Sequence, residues 1–193
     1  MTTITSTSQQ ASASFLDNLF GSGYKSYVSS SHNVKIDYPN DWHYEETGHD
    51  ESSPETIFKF NFISPINTQE IVAGNDITAI VSVSIDELKP SVTLDQYKDR
   101  IMNNLKNAGQ KAITTLPRTG TVKDLTISTS TLGGEPAYRI EHMMWFTDHW
   151  EKSITLYAVK DGKLHEVSAL GKSEALEKYS EAIKKMIESA RFD

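Results

Sequence analysis

Hydrophobic and polar residues alternate with period two in three successive stretches of the N-terminal half. NVKIDYP sets Val34, Ile36 and Tyr38 against Lys35 and Asp37 before Pro39 ends the hydrogen-bonding ladder. IFKFNFISP places Phe58, Phe60 and Phe62 on one face, and TAIVSVSIDEL opposes Ala79, Val81, Val83 and Ile85 to Ser82 and Ser84. Three half-buried strands in a row predict antiparallel pairing with one covered face. The period then changes. In TLDQYKDRIMNNLKNAG, Leu94, Tyr97, Ile101 and Leu105 recur at helical spacing, Thr93 and Gln96 have the spacing of a capping box, and Gly109 stops the run. After the loop GQKAITTLPRTGT, the stretches VKDLTISTSTL, YRIEHMMWF, KSITLYAV and KLHEVSAL read as strands. The first of them ends in the Gly-Gly-Glu-Pro turn at residues 133–136, and the last two join at Asp161-Gly162, a strong hairpin signal. A final helix is expected from Ser173 to about Ala190, with Leu176, Tyr179, Ile183, Met186 and Ile187 as its buried stripe.

Strand runs separated by single helices, without alternating βα units, predict an α+β domain around a mainly antiparallel sheet of about six to seven strands. Two amphipathic helices then cover one face of it or both. The first fourteen residues, MTTITSTSQQASAS, contain eight Ser or Thr and no apolar surface that would offset the entropy of ordering, so 1–14 reads as a disordered tail. FLDNLFG follows with Phe15, Leu16, Leu19 and Phe20 ahead of Gly21, a short docking helix at the start of a single domain over 15–193.

A chain of 193 residues with 37% hydrophobic content is enough for one core. The formal net charge of -7 repels phosphate backbones and anionic membrane surfaces, which argues against nucleic acid as a partner. There is no cysteine, so disulfides, thiolate zinc sites and cysteine nucleophiles are excluded, and any metal must use imidazole, carboxylate or carbonyl ligands. No apolar run approaches the ~20 residues of a membrane span, and the N-terminus as written lacks the flank and apolar stretch of a signal peptide. The expectation is a soluble chain without membrane insertion, its compartment left open.

Seven pieces of the chain resemble the PsbP family, the extrinsic photosystem II subunits and their relatives, within the wider superfamily that includes the Ran-binding nuclear-import factor and bacterial effector chaperones. They are VKIDYPNDW (34–42), FISP (62–65), VSVSIDEL (81–88), TLDQY (93–97), LGGEPAYRIEH (132–142), DGKLHEVSAL (161–170) and MIESARF (186–192), in the family's order. The resemblance implies an α-β-α sandwich around an antiparallel sheet. It also implies a non-enzymatic role: binding to a larger complex, assisting its assembly, or modulating ions near it. The matched residues are scaffold. Pro39 closes a strand, Trp42 is large enough to plug a sheet edge, and Gly133 and Gly134 permit a turn closed to bulkier residues.

Candidate chemistry is sparse. In WHYEETGHDE, His43 and His49 with Glu45, Glu46, Asp50 and Glu51 offer ligands for a divalent metal from a loop, and some PsbP relatives are metal-associated. Yet a spacing of six between the histidines matches no compact ligand motif, so a hydrated acidic loop is the competing reading. A calcium loop of the D-x-D-x-D-G type is absent. His142 shares a strand face with Tyr138, Ile140, Met144 and Phe146 and reads as a core or half-buried histidine, His149 as an exposed one beside Asp148 and Glu151, and His165 as capping the sheet against a helix. FGSGYKS lacks the Walker spacing, and no G-x-S-x-G or H-E-x-x-H motif occurs. No cofactor is fixed by these residues. The aromatics Trp145, Phe146 and Trp150 cluster around one hairpin; if Trp145 faces outward with Arg139, Glu141 and Met143, Trp145 and Trp150 form an anchor for a protein partner, and otherwise a helix covers them. The favoured function is a non-catalytic protein-binding or assembly-accessory domain; the alternatives are a metal-binding or delivery protein using the acidic histidine loop, and a carrier of a small apolar ligand between sheet and helix.

Overall fold

The computed structural model describes residues 23–46, 56–65, 78–89, 91–110, 120–146 and 148–193. The Ser/Thr-rich stretch, the FLDNLFG segment and most of the loop after Gly109 lie outside them. The strands are β1 (Tyr24–Ser29), β2 (Val34–Pro39), β3 (His43–Glu46), β4 (Thr56–Ile63), β5 (Ala79–Glu87), β6 (Val122–Leu132), β7 (Glu135–Phe146), β8 (His149–Lys160), β9 (Lys163–Gly171) and β10 (Arg191–Phe192). The helices are α1 (Leu94–Gln110), α2 (Ser173–Lys178) and α3 (Ser180–Ser189). Seven strands form one antiparallel sheet in the order β3-β4-β5-β9-β8-β7-β6, and β1, β2 and β10 form a second, small one. The fold is α+β, as the alternation of strand runs and helices predicts.

The inner face of the large sheet is the core. Phe60 pairs with Val83, Val83 with Val167, Val167 with Leu156, and Leu156 with Arg139, which lies opposite Ser128. Read across the strands, that row passes from fully buried hydrocarbon to an exposed serine. Where it is apolar it is covered by β2, α2 and α3: Val34, Ile36, Leu176, Ile183 and Met186 join Phe60, Phe62, Val81 and Val167 in one cluster. Burying each such side chain contributes about 1.5–3 kcal/mol. Where it is polar, the cover has ended. The outer face carries Lys59, Ser84, Glu166, Tyr157 and Tyr138 in one register row, and α1 lies over its β8–β6 end, with the Tyr97 ring 5.5 Å from that of Tyr157 and the Tyr138 hydroxyl donating to Asp95 at 2.5 Å.

Local signals decided most of these elements. The Thr93–Gln96 capping box forms in both directions, at 3.2 Å to the Thr93 hydroxyl and 3.0 Å to the Gln96 amide oxygen. Asp161 and Gly162 both take positive φ, 52° and 73°, as a two-residue hairpin of the mirror-image type requires. Gly133 (φ 62°) turns β6 into β7, and a Cβ there would stand 2.7 Å from the buried Phe192 ring, so glycine is required twice over.

Three expectations need correction. β2 does not pair with β4: it lies in the small sheet, where Ser189 of α3 caps its outer edge by accepting a hydrogen bond from the Asp37 N–H at 2.8 Å. The segment after Trp42 is not loop from its start, because His43–Glu46 adds to β4 as an edge strand. The last helix is broken at Tyr179 (φ -102°, ψ 14°), whose buried ring packs edge-on against Trp42 at 5.5 Å. Trp42 accordingly sits in the core against that break.

Candidate functional site

The inner face beyond the reach of the helices carries the aromatic candidates. Trp145 on β7 and Trp150 on β8 are a directly opposed cross-strand pair, their rings T-shaped at 5.4 Å. Lys123 of β6 places its ammonium 4.1 Å from the Trp150 ring centre. Such contacts are worth about 0.5–1.5 kcal/mol for the ring pair and about 0.5–1 for the exposed cation. The main chain of Trp145 is pinned on its far side, its N–H donating to the Thr121 carbonyl at 2.8 Å and its carbonyl accepting from Gly120 at 2.9 Å. A β-bulge between Lys123 and Thr126, with Asp124 at φ 54°, follows directly and re-aims the edge strand.

Along the same face lie Met143, Glu141 and Arg139, as the alternation of β7 requires. The Ser173 hydroxyl at the start of α2 reaches Met143 Sδ at 3.9 Å, so helical cover stops one step short of Trp145. Both tryptophans are half-buried. Glu141 accepts from Arg139 Nε at 2.8 Å and pairs with Lys152 Nζ at 3.0 Å; burial pushes its carboxyl up, but the two cations outweigh this and hold it below the usual range. On the other side of the hairpin end, Phe146 is exposed and the His149 ring stands between two carboxylates, Asp148 at 2.7 Å and Glu151 at 3.0 Å. Those bonds raise the His149 pKa above its ordinary value. His149 is thus half-buried rather than exposed, with both ring nitrogens bonded to the carboxylates that flank it in sequence.

Of the metal candidates, only those on β3 fall within the described residues. His43 is exposed on β3, with Nε2 3.4 Å from Glu45 Oε1; Glu46 on the same strand accepts from the Tyr27 hydroxyl at 2.7 Å. His49, Asp50 and Glu51 lie outside the described residues. What is described of this set amounts to one imidazole and two carboxylates, and among the described residues no group of three or more His, Asp or Glu side chains is placed to hold a metal ion.

Two buried histidines and one carboxylate on β7 and β9 are shifted as well. His142 is buried with Nδ1 unpartnered among the described residues, and burial lowers its pKa. His165 packs its ring 4.3 Å from Phe192 of β10 rather than under a helix, and burial takes its pKa from 6.5 down to about 4. Glu166, next in chain and on the opposite face, is pushed from 4.5 up to about 7, first by burial and then by the charge of Asp86, against a Ser168 hydrogen bond and Lys59. Sequence reasoning missed Glu166; the signal was a carboxylate in the alternating row of a strand whose two faces are both covered.

This arrangement, a seven-stranded antiparallel sheet with one helix outside and a helix pair inside, is a known fold. It has the fold of the solution structure of cyanobacterial PsbP (CyanoP) from Synechocystis sp. PCC 6803, at 15% identity and TM-score 0.59 over 90% of this chain and 96% of that one. LpqN of Mycobacterium tuberculosis, described as involved in cell envelope biogenesis, is similar at 12% identity and TM-score 0.56 over 88% and 90%. The PsbP family profile matches residues 22–192, and the chain belongs to that family. No curated protein sequence matches it.

Proposed function

We propose that this chain is a non-catalytic protein-binding or assembly-accessory domain of the PsbP type, which engages its partner through the Trp145–Trp150 end of the inner face. One observation carries the reading: two half-buried tryptophans stand on paired strands, fixed by ring contact and flanked by Lys123, where helical cover ends. Aromatic anchors preorganised in this way beside a cation are the usual centre of a protein interface. The titratable groups support a binding role as well. His142 and His165 are buried without a partner at Nδ1 among the described residues, and His149 is occupied on both nitrogens by carboxylates; His32 does meet the Ser29 and Ser31 hydroxyls through Nδ1, at 3.1 and 3.0 Å, but among the described residues no carboxylate orients its ring as a triad base requires. The negative net charge of -7 favours a protein partner over nucleic acid.

Affinity capture from the source cell with the wild-type chain and with the Trp145→Ala/Trp150→Ala double variant tests this. Truncating a hot-spot tryptophan costs about 2–4 kcal/mol of binding. The expected result is therefore a stoichiometric partner retained by the wild type and lost by the variant, with cooperative melting preserved. Equal recovery of that partner by both proteins refutes the assignment of the surface, and turnover of a substrate by the purified chain refutes the non-catalytic reading.

A further inference from the structure

A cavity of about 700 Å³ opens between α2–α3 and the β6–β8 part of the inner face, within the range of about 300–1,000 Å³ that small-molecule sites occupy. Its walls are of two kinds. Half-buried Ile154 of the sheet and Ile187 of α3 line its apolar side, over a floor of buried Leu156, Leu176 and Ile183. Around it stand Arg139, Lys184 and Arg191 against a single carboxylate, Glu188, with the hydroxyls of Ser130 and Ser180.

The cations are unequally committed. Arg139 gives Nε to Glu141, but that carboxylate is shared with Lys152, so the group of three keeps a net positive charge. Arg191 turns Nη1 to the Glu188 and Ala190 carbonyls and so caps the end of α3. Lys184 has no ion-pair or hydrogen-bond partner among the described residues. The lining thus carries a positive balance in a chain of net charge -7. A neutral hydrocarbon would leave these charges beside it without a counterion, whereas a molecule with one anionic end satisfies both kinds of wall.

We propose that this cleft binds an amphiphilic carboxylate, its apolar body on Ile154, Leu156, Leu176, Ile183 and Ile187 and its head met by Lys184 and Arg139. The inference goes beyond the protein-binding reading and narrows the expectation of an apolar guest between sheet and helix to an anionic amphiphile. The two sites are separate, so either proposal stands if the other fails.

Isothermal titration below the micellar range compares three probes of equal chain length: dodecanoate, dodecanol and dodecyltrimethylammonium. Dodecanoate binds one to one, dodecanol at least tenfold more weakly, and the ammonium probe weakest of all. Lys184 is exposed on α3, so Lys184→Gln and Lys184→Glu leave folding intact. The first weakens dodecanoate about fivefold, the second further, and neither changes the affinity for dodecanol. Absence of saturable dodecanoate binding, equal affinity for dodecanol, or indifference of dodecanoate to both Lys184 substitutions overturns the proposal.

Discussion

Neighbouring residues of β9 titrate in opposite senses, and this yields a test that reads the fold from both sides of the sheet. Burial carries Glu166 from 4.5 to about 7. Below the lower value both folded and unfolded chains hold the proton, and the stability is full. Between the two the unfolded chain has ionised while the folded one has not, so stability falls as pH rises. At roughly 1.4 kcal/mol per pH unit the loss is about 3 kcal/mol, trimmed to about 2 because the carboxylate is half-buried and partly reached by water. His165 does the reverse. With its pKa lowered from 6.5 to about 4, the unfolded chain gains a proton that the folded one refuses, and stability falls as pH drops through that window, again by about 3 kcal/mol. From pH 4.5 to 6.5 the two slopes nearly cancel and conceal each other.

Glu166→Gln keeps the shape and hydrogen-bonding capacity of the neutral acid and removes its titration. Urea unfolding at pH 4.5, 5.5, 6.5 and 7.5 and constant ionic strength then shows a variant equal to the wild type at the acid end. It is more stable by about 2 kcal/mol at pH 7.5, which for a chain of this size is about 4–8 °C in Tm. Because every other titrating group is common to both proteins, the difference between the two curves isolates this one carboxyl. A constant offset across the range refutes the argument, since it means that Glu166 titrates alike in both states.

Gly133→Ala combines left-handed backbone with the approach to Phe192 and destabilises the chain by about 2–4 kcal/mol, measured by urea unfolding; Gly134→Ala meets nothing within 4 Å and costs only its backbone share, so equal effects would exclude the steric part. By NMR titration His149 has a pKa above the ordinary 6.5 that returns towards it in the Asp148→Asn/Glu151→Gln variant, and an unchanged midpoint would show that the two carboxylate bonds are not formed.

What the chain discloses about itself divides along physical lines. The rows Phe58-Phe60-Phe62 and Val81-Val83-Ile85 were legible because both faces of their strands have decided environments, and the capping box and the Asp161-Gly162 turn because each is settled within four residues. The small sheet was not legible, since β2 has the same alternation whichever strand it joins and β10 is two residues long. β3 is exposed throughout and so has no alternation to read. The break at Tyr179 has no proline or glycine behind it; the position obeys the helical stripe, and the T-shaped packing on Trp42, more than a hundred residues away, accompanies the turn. For the candidate surface, the side of β7 that holds Trp145 follows from parity alone. Whether that side is covered depends on how far α2 reaches, and this no local pattern contains.

The extent of that cover organises the whole inner face. Helices and small sheet seal the half built on β4, β5, β9 and the near part of β8, where the buried inward residues are mostly hydrocarbon with His165 an exception, and they withdraw over β7 and β6, where Glu141, Arg139, Thr126 and Ser128 take over. An open face next to an eleven-residue strand whose outer edge pairs with no other strand among the described residues is an invitation to pair with another chain. The bulge at Lys123–Thr126 and the clustered charges oppose nonspecific pairing there, while leaving Trp145 and Trp150 accessible. A face that only needed protection would carry more charge and no tryptophan. An aromatic pair within a charged frame is what the proposed binding role requires: a partner whose surface fits the rings and balances the lysine is admitted, and nonspecific strand pairing is not.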